Sequence, residues 1–185
     1  MKKQKKQLIL MLLLLVLLVV GYVVLKRNND LQDSSVTETA ERLFDRFDSS
    51  MDSSQVTELS YYYDGELCSL IKEDETWITK EDQNLTLKQS TINTMVSSLV
   101  ATTIVSELEN VTDLSEYGLS EPVNIITIKV AGTEYVVNVG NSNELTSYLY
   151  MQMAGSDTVY VVSSGITNSF QYGMDDLVEA EETVE

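Results

Sequence analysis

The chain has no histidine, one cysteine and one proline, and it sets only 12 basic residues against 29 acidic ones. Each scarcity excludes something. Without histidine, Ser–His and Cys–His nucleophile pairs cannot form and the commonest metal ligand is missing. A lone Cys68 cannot close an internal disulfide, so the fold must stand on packing. No basic neighbour in sequence lowers its pKa, and it reads as a small apolar residue of a strand. Neither G-x-G-x-x-G nor G-x-x-x-x-G-K occurs, which removes the phosphate-cradling loops. All the acidic residues follow Arg27, together with only six of the basic ones, so phosphate backbones are repelled and nucleic acid is not a partner.

What the chain does have is an uncharged run, Leu8–Leu25, reading LILMLLLLVLLVVGYVVL. As a helix rising about 1.5 Å per residue it extends roughly 27 Å, close to the ~30 Å hydrocarbon core of a bilayer. A helix buried in a globular core carries a polar stripe, and this run has none. Lys2, Lys3, Lys5 and Lys6 precede it, whereas only Lys26 and Arg27 follow directly. The positive-inside bias then holds residues 1–7 in the cytoplasm and sends the remainder outside. The run is too long for a signal peptide and lacks a small-x-small cleavage site, so an uncleaved anchor in the cell membrane is expected.

Residues 26–54 read as a juxtamembrane spacer. Within it Val36, Ala40, Leu43, Phe44 and Phe47 are spaced for a short amphipathic helix, capped by Ser35 or Thr37. A folded domain is expected over 55–175, with an acidic, frayed tail over 176–185. Its first strands flank Asp64-Gly65, a tight-hairpin signal, and TWITK makes a third strand with Trp77 toward the core. From Thr91 to Leu108, apolar residues recur at helical spacing, with Ser90 or Thr91 as cap. In DLSEYGLSEP, a single turn beginning at Asp113 or Ser115 ends on Gly118, and Pro122 launches the strand Val123–Val130. Two further hairpins follow, and then a short helix at Ile166 and Phe170. Hairpin links between strands predict an α+β domain, an antiparallel sheet with an amphipathic helix packed on it.

The segments ETWITKED, the amphipathic helix, DLSEYGLSEPVNIITIKV and YVVNVGNSNELTSYLYMQMAGSDTVYVVSS occur in an order that resembles the domain of unknown function 4340 family, over roughly residues 56–175. Trp77, the Tyr117-Gly118-Leu119-x-x-Pro122 core, and Gly140 with Tyr150 carry the resemblance. It implies a bacterial, single-pass, mostly extracytoplasmic protein, in a family often encoded beside ABC-type export or gliding-motility components. Longer relatives carry more than one such unit, and this chain has room for one. The resemblance brings no catalytic residues and no cofactor.

Searching the residues for chemistry yields little. Ser69-Leu-Ile-Lys72 spells S-x-x-K, but a strand puts the two side chains on opposite faces and both partner motifs are missing. Asp45–Ser54 has spaced aspartates without the central glycine or terminal glutamate of a calcium loop. Tyr61, Tyr62 and Tyr63 divide between the two faces of a strand, core on one side and cover on the other. The expectation is a noncatalytic accessory module, held in the bilayer through residues 8–25, that contacts a membrane-complex protein such as an ABC-type exporter. The alternative is a module binding an extracellular glycan, peptide or cation.

Overall fold

Among the described residues, alternating apolar residues bounded by turn formers produce eight strands, and one helical stretch of sequence produces the main helix. The computed structural model describes residues 40–143 and 145–180. The run 8–25 lies outside the described residues. Among those described, no helix is long and apolar enough to cross a membrane.

The strands are β1 (Val56–Tyr63), β2 (Glu66–Glu73), β3 (Thr76–Thr79), β4 (Ile104–Leu108), β5 (Asn124–Val130), β6 (Thr133–Ser142), β7 (Leu149–Met153) and β8 (Val159–Val162). They form one sheet in the order β3-β2-β1-β5-β6-β7-β8-β4, and every pairing is antiparallel. The Asp64-Gly65 hairpin is present, and both residues take the positive φ such a turn needs. The α+β expectation therefore holds for the sheet and its helix.

Helix α1 (Gln89–Val100) turns Ile92, Met95, Val96, Leu99 and Val100 into the core, at the predicted spacing. It is shorter than expected. Residues 104–108 are not its last turns but strand β4, paired with β8 at the far edge of the sheet. The β-branched run Thr102-Thr103-Ile104-Val105 loses side-chain freedom in a helix and packs well on a pleated surface. Pairing also gives β8's outer backbone groups their partners. The expected cap is absent as well: the position before the helix is Lys88, with no side-chain capping bond.

Burial extends beyond residues 55–175 at both ends. Leu43, Phe44 and Met51 are buried, ahead of residue 55. The expected helix around them is a single 3-10 turn, Leu43–Arg46, which leaves Phe47 exposed. Leu43 N–H donates to the Thr102 carbonyl (2.8 Å) and Ile104 N–H to the Glu41 carbonyl (2.8 Å), so this segment lines the edge of β4. At the other end, Leu177 of α2 (Met174–Leu177) is fully buried and Val178 bridges Leu87, so the start of the supposed tail is tied to the body. Ile166 and Phe170 lie buried on a 3-10 segment, Ser164–Phe170, as the last short helix.

The helices cover one face, burying Leu59, Tyr61, Leu70, Ile128 and Met151. On the other face, near the middle, Glu58 takes hydrogen bonds from Lys129 Nζ (2.8 Å) and Lys80 Nζ (2.7 Å). Those bonds, with Lys129's first, hold its carboxyl below the usual glutamate range. A carboxylate with a lowered folded pKa stabilises fully above its unfolded value of about 4.3, and the effect fades as pH falls through the folded value. Thermal unfolding of wild type and Glu58→Gln from pH 7 to pH 3 is expected to show wild type more stable at neutral pH, the gap closing at the acid end. A gap independent of pH would contradict the ion-pair assignment.

Candidate functional site

The two short signatures of the sequence meet in space. Asp113 Oδ1 accepts from Ser115 N–H (2.9 Å) and starts a 3-10 turn, Ser115–Tyr117, that ends on Gly118 in the left-handed region (φ 68°). This is the predicted stop-and-turn. Leu119 is buried, and Val123 N–H donates to the Val139 carbonyl (2.8 Å), tying the segment to β6. The β6–β7 register slips between Val139 and Ser142, a bulge that carries Gly140 and Asn141.

The turn lies directly on that bulge. A Cβ on Gly140 would collide with the Tyr117 carbonyl oxygen and press on Leu119, and one on Gly118 would meet Asn141 Cγ at 2.5 Å. Glycine is needed at both positions because two stretches of backbone approach too closely for a side chain. Tyr150, alternating with core residues Leu149 and Met151, points to the same side as the turn. Its ring meets Tyr117 edge-on, centroids 4.9 Å apart. Tyr117, Gly118, Leu119, Gly140 and Tyr150 thus form one clasp, and Pro122 leads out of it into β5.

Trp77 stands apart, at the opposite side of the sheet. Its backbone N–H donates to Gln89 Oε1 (2.7 Å) and its carbonyl accepts from Gln89 Nε2 (2.9 Å), while its indole N–H donates to Asn93 Oδ1 (2.9 Å). Gln89 acts as a one-residue strand against the exposed edge of β3, and Trp77 anchors α1 to the sheet.

A family model of the domain of unknown function 4340 matches residues 22–122 and 77–182. The chain belongs to that family. Both matches contain Trp77 and the Tyr117–Pro122 turn, so the α1 anchor and the turn of the clasp fall within the stretch they share, and Gly140 and Tyr150 fall in the second match. Comparison with curated proteins and with solved structures gave no match.

Beside the clasp, this DUF4340 domain has a cleft of about 410 Å³. Ile126, Val139, Leu149, Ile166 and Phe170 make its floor, and Tyr62, Tyr63, Asp64, Asn124, Asn141 and Gln171 its rim. Its volume falls within the range of small-molecule pockets. Its origin is a fork in the sheet. Pairing of β1 with β5 stops at Ser60↔Thr127, though β1 runs on to Tyr63 and β5 begins at Asn124. Inside the fork, Tyr62 N–H donates to the side-chain Oδ1 of Asn124 (2.9 Å) instead of to a strand carbonyl. Gly140 belongs to clasp and cleft alike, and Asn141, packed against Gly118, lines the cleft beside it, so the clasp forms one wall.

The remaining sequence candidates are dispersed. Tyr61 is buried, its hydroxyl donating to the Tyr172 carbonyl (2.8 Å) and its ring edge-on to Phe170; burial pushes its pKa up. Tyr62 and Tyr63 stay exposed. Burial likewise raises the Cys68 thiol. Ser69 and Lys72 lie on opposite faces of β2, and Lys72 pairs with Glu75 (3.0 Å). Asp45 is held by Arg42 (2.6 Å), and Asp48 and Asp52 by Ser50 and Ser54, so these carboxylates do not converge. The amide rim of Asn124, Asn141 and Gln171 escaped the sequence reading, since only the fold gathers it; the tyrosine run before Asp64 was the one local signal.

Gly140→Ala is expected to destabilise the domain by about 3 kcal/mol, the upper range for forcing atoms into a packed site. Gly165→Ala, where an added Cβ has open space, should stay within about 0.5 kcal/mol. Urea unfolding of both variants measures the difference, and equal midpoints would refute the clasp.

Proposed function

We propose that this DUF4340 chain is a noncatalytic, single-pass, membrane-anchored module whose domain stands outside the cell membrane and serves as an accessory to a membrane complex, an ABC-type exporter being the partner the family resemblance implies. The observation that carries the reading is the uncharged run 8–25, preceded by four lysines and followed by an acid-rich body. The clasp and the Trp77 anchor support it from another direction: the recognisable residues of the family hold elements together, and each has a structural task.

A second reading, a module for an extracellular ligand, draws its support from the cleft. Its rim offers amides and tyrosines already positioned by strands, which suits recognition without chemistry.

Protease added to intact cells tests the topology. A C-terminally tagged full-length chain is expected to lose its tag to external protease while the lysine-rich N-terminus survives in the membrane fraction. Protection of the tag, or a mature chain that begins after residue 25, would overturn the anchored reading. Crosslinked membranes then test the partnership: an exporter subunit recovered in every replicate supports it, and recovery of the chain alone contradicts it.

A further inference from the structure

We propose that the fork between β1 and β5 binds an extended, neutral or cationic peptide segment, which enters as a short strand and sets one apolar side chain on the cleft floor. This rests on the ligand-binding reading above and narrows it to one class of ligand.

The backbone supplies the first reason. Two antiparallel strands that continue past their last pair leave facing rows of N–H and C=O groups, and such rows are what an added strand satisfies. At Ser60↔Thr127 the ladder ends, and among the described residues the one bond bridging the fork beyond it runs from Tyr62 N–H to the Asn124 side chain. Asn124 occupies the place of a strand carbonyl. A peptide carbonyl takes over that N–H when Asn124 turns aside.

The lining supplies the second. Ile126, Val139, Leu149, Ile166 and Phe170 form an apolar floor beneath the fork, and a second groove of about 320 Å³, lined by Gly65, Pro122 and Ile125, shares Tyr62, Asp64, Val123 and Asn124 with the cleft. A groove running along strand ends accommodates a chain better than a compact solute. Tyr62 and Tyr63 alternate onto opposite faces of β1, so they offer no shared plane on which a sugar ring could stack. Charge supplies the third. The lining includes the carboxylate Asp64 and neither lysine nor arginine, which disfavours an anion, and a single carboxylate does not chelate a metal ion.

The test uses the full-length chain in lipid nanodiscs, with the methyl resonances of Ile126, Leu149 and Ile166 followed by NMR. Four probes are titrated: acetyl-Lys-Thr-Phe-Thr-amide, its Glu-for-Lys counterpart, the lysine peptide N-methylated at the Phe amide, and diacetylchitobiose. The lysine peptide is expected to shift the three residues saturably. The glutamate peptide should bind roughly threefold more weakly, and Asp64→Asn should erase that preference, as for one exposed charge pair. N-methylation should weaken binding about fivefold, the worth of one backbone hydrogen bond. Equal binding of the N-methylated peptide would overturn strand addition, and a preference for the glutamate peptide would overturn the charge assignment. If the disaccharide alone shifts these methyls, the cleft remains a ligand site and the peptide proposal falls. If no probe shifts them, the ligand-binding reading falls with it.

Discussion

The contact between the Tyr117–Leu119 turn and Gly140 determines the shape of this end of the molecule. Backbone lies against backbone there because neither Gly118 nor Gly140 has a side chain to hold them apart. The approach sits on a bulge in β6, where the ladder to β7 is already interrupted and one face of the strand can take a visitor. From that point Pro122 and the Val123–Val139 bond feed the chain into β5, which pairs with β6 on one side and β1 on the other. The fork and the cleft lie further along the same path.

The two halves of the sheet are held in different ways. On the β3 side, Trp77 and Gln89 bind α1 to the edge through a side-chain imitation of a strand, which both anchors the helix and closes an edge open to another chain. On the β4 side, the segment Glu41–Leu43 lines the edge with backbone bonds of its own. Between these covered edges, the fork is a place inside the sheet where the β1–β5 pairing stops while both strands run on.

Much of the architecture was legible in the residues, and the failures have physical causes. Asp64-Gly65 announced a hairpin because few dipeptides tolerate its dihedral angles, and Gly118 announced the end of a turn for the same reason. Ile92 to Val100 announced a helix by spacing. The same spacing misled beyond Val100, since Ile104, Val105 and Leu108 fit both a helical face and a strand, and only the empty edge of β8 decides between them. The burial of Leu43 and Leu177 was hidden for a related reason: partners such as Thr102 and Lys88 are distant in sequence. The cleft was the least legible, because it arises from pairing that stops, and no residue type marks where a ladder ends.

Backbone hydrogen exchange at Leu119 and Val123 tests the central claim most directly, since both amides donate within the clasp, to the Leu114 and Val139 carbonyls. If the turn is locked onto β6, these two amides exchange as slowly as those of Ile126 and Ile128 in the middle of β5. Exchange at the rate of an exposed loop would show that the turn merely rests on the sheet, and that the fork owes its shape to something else.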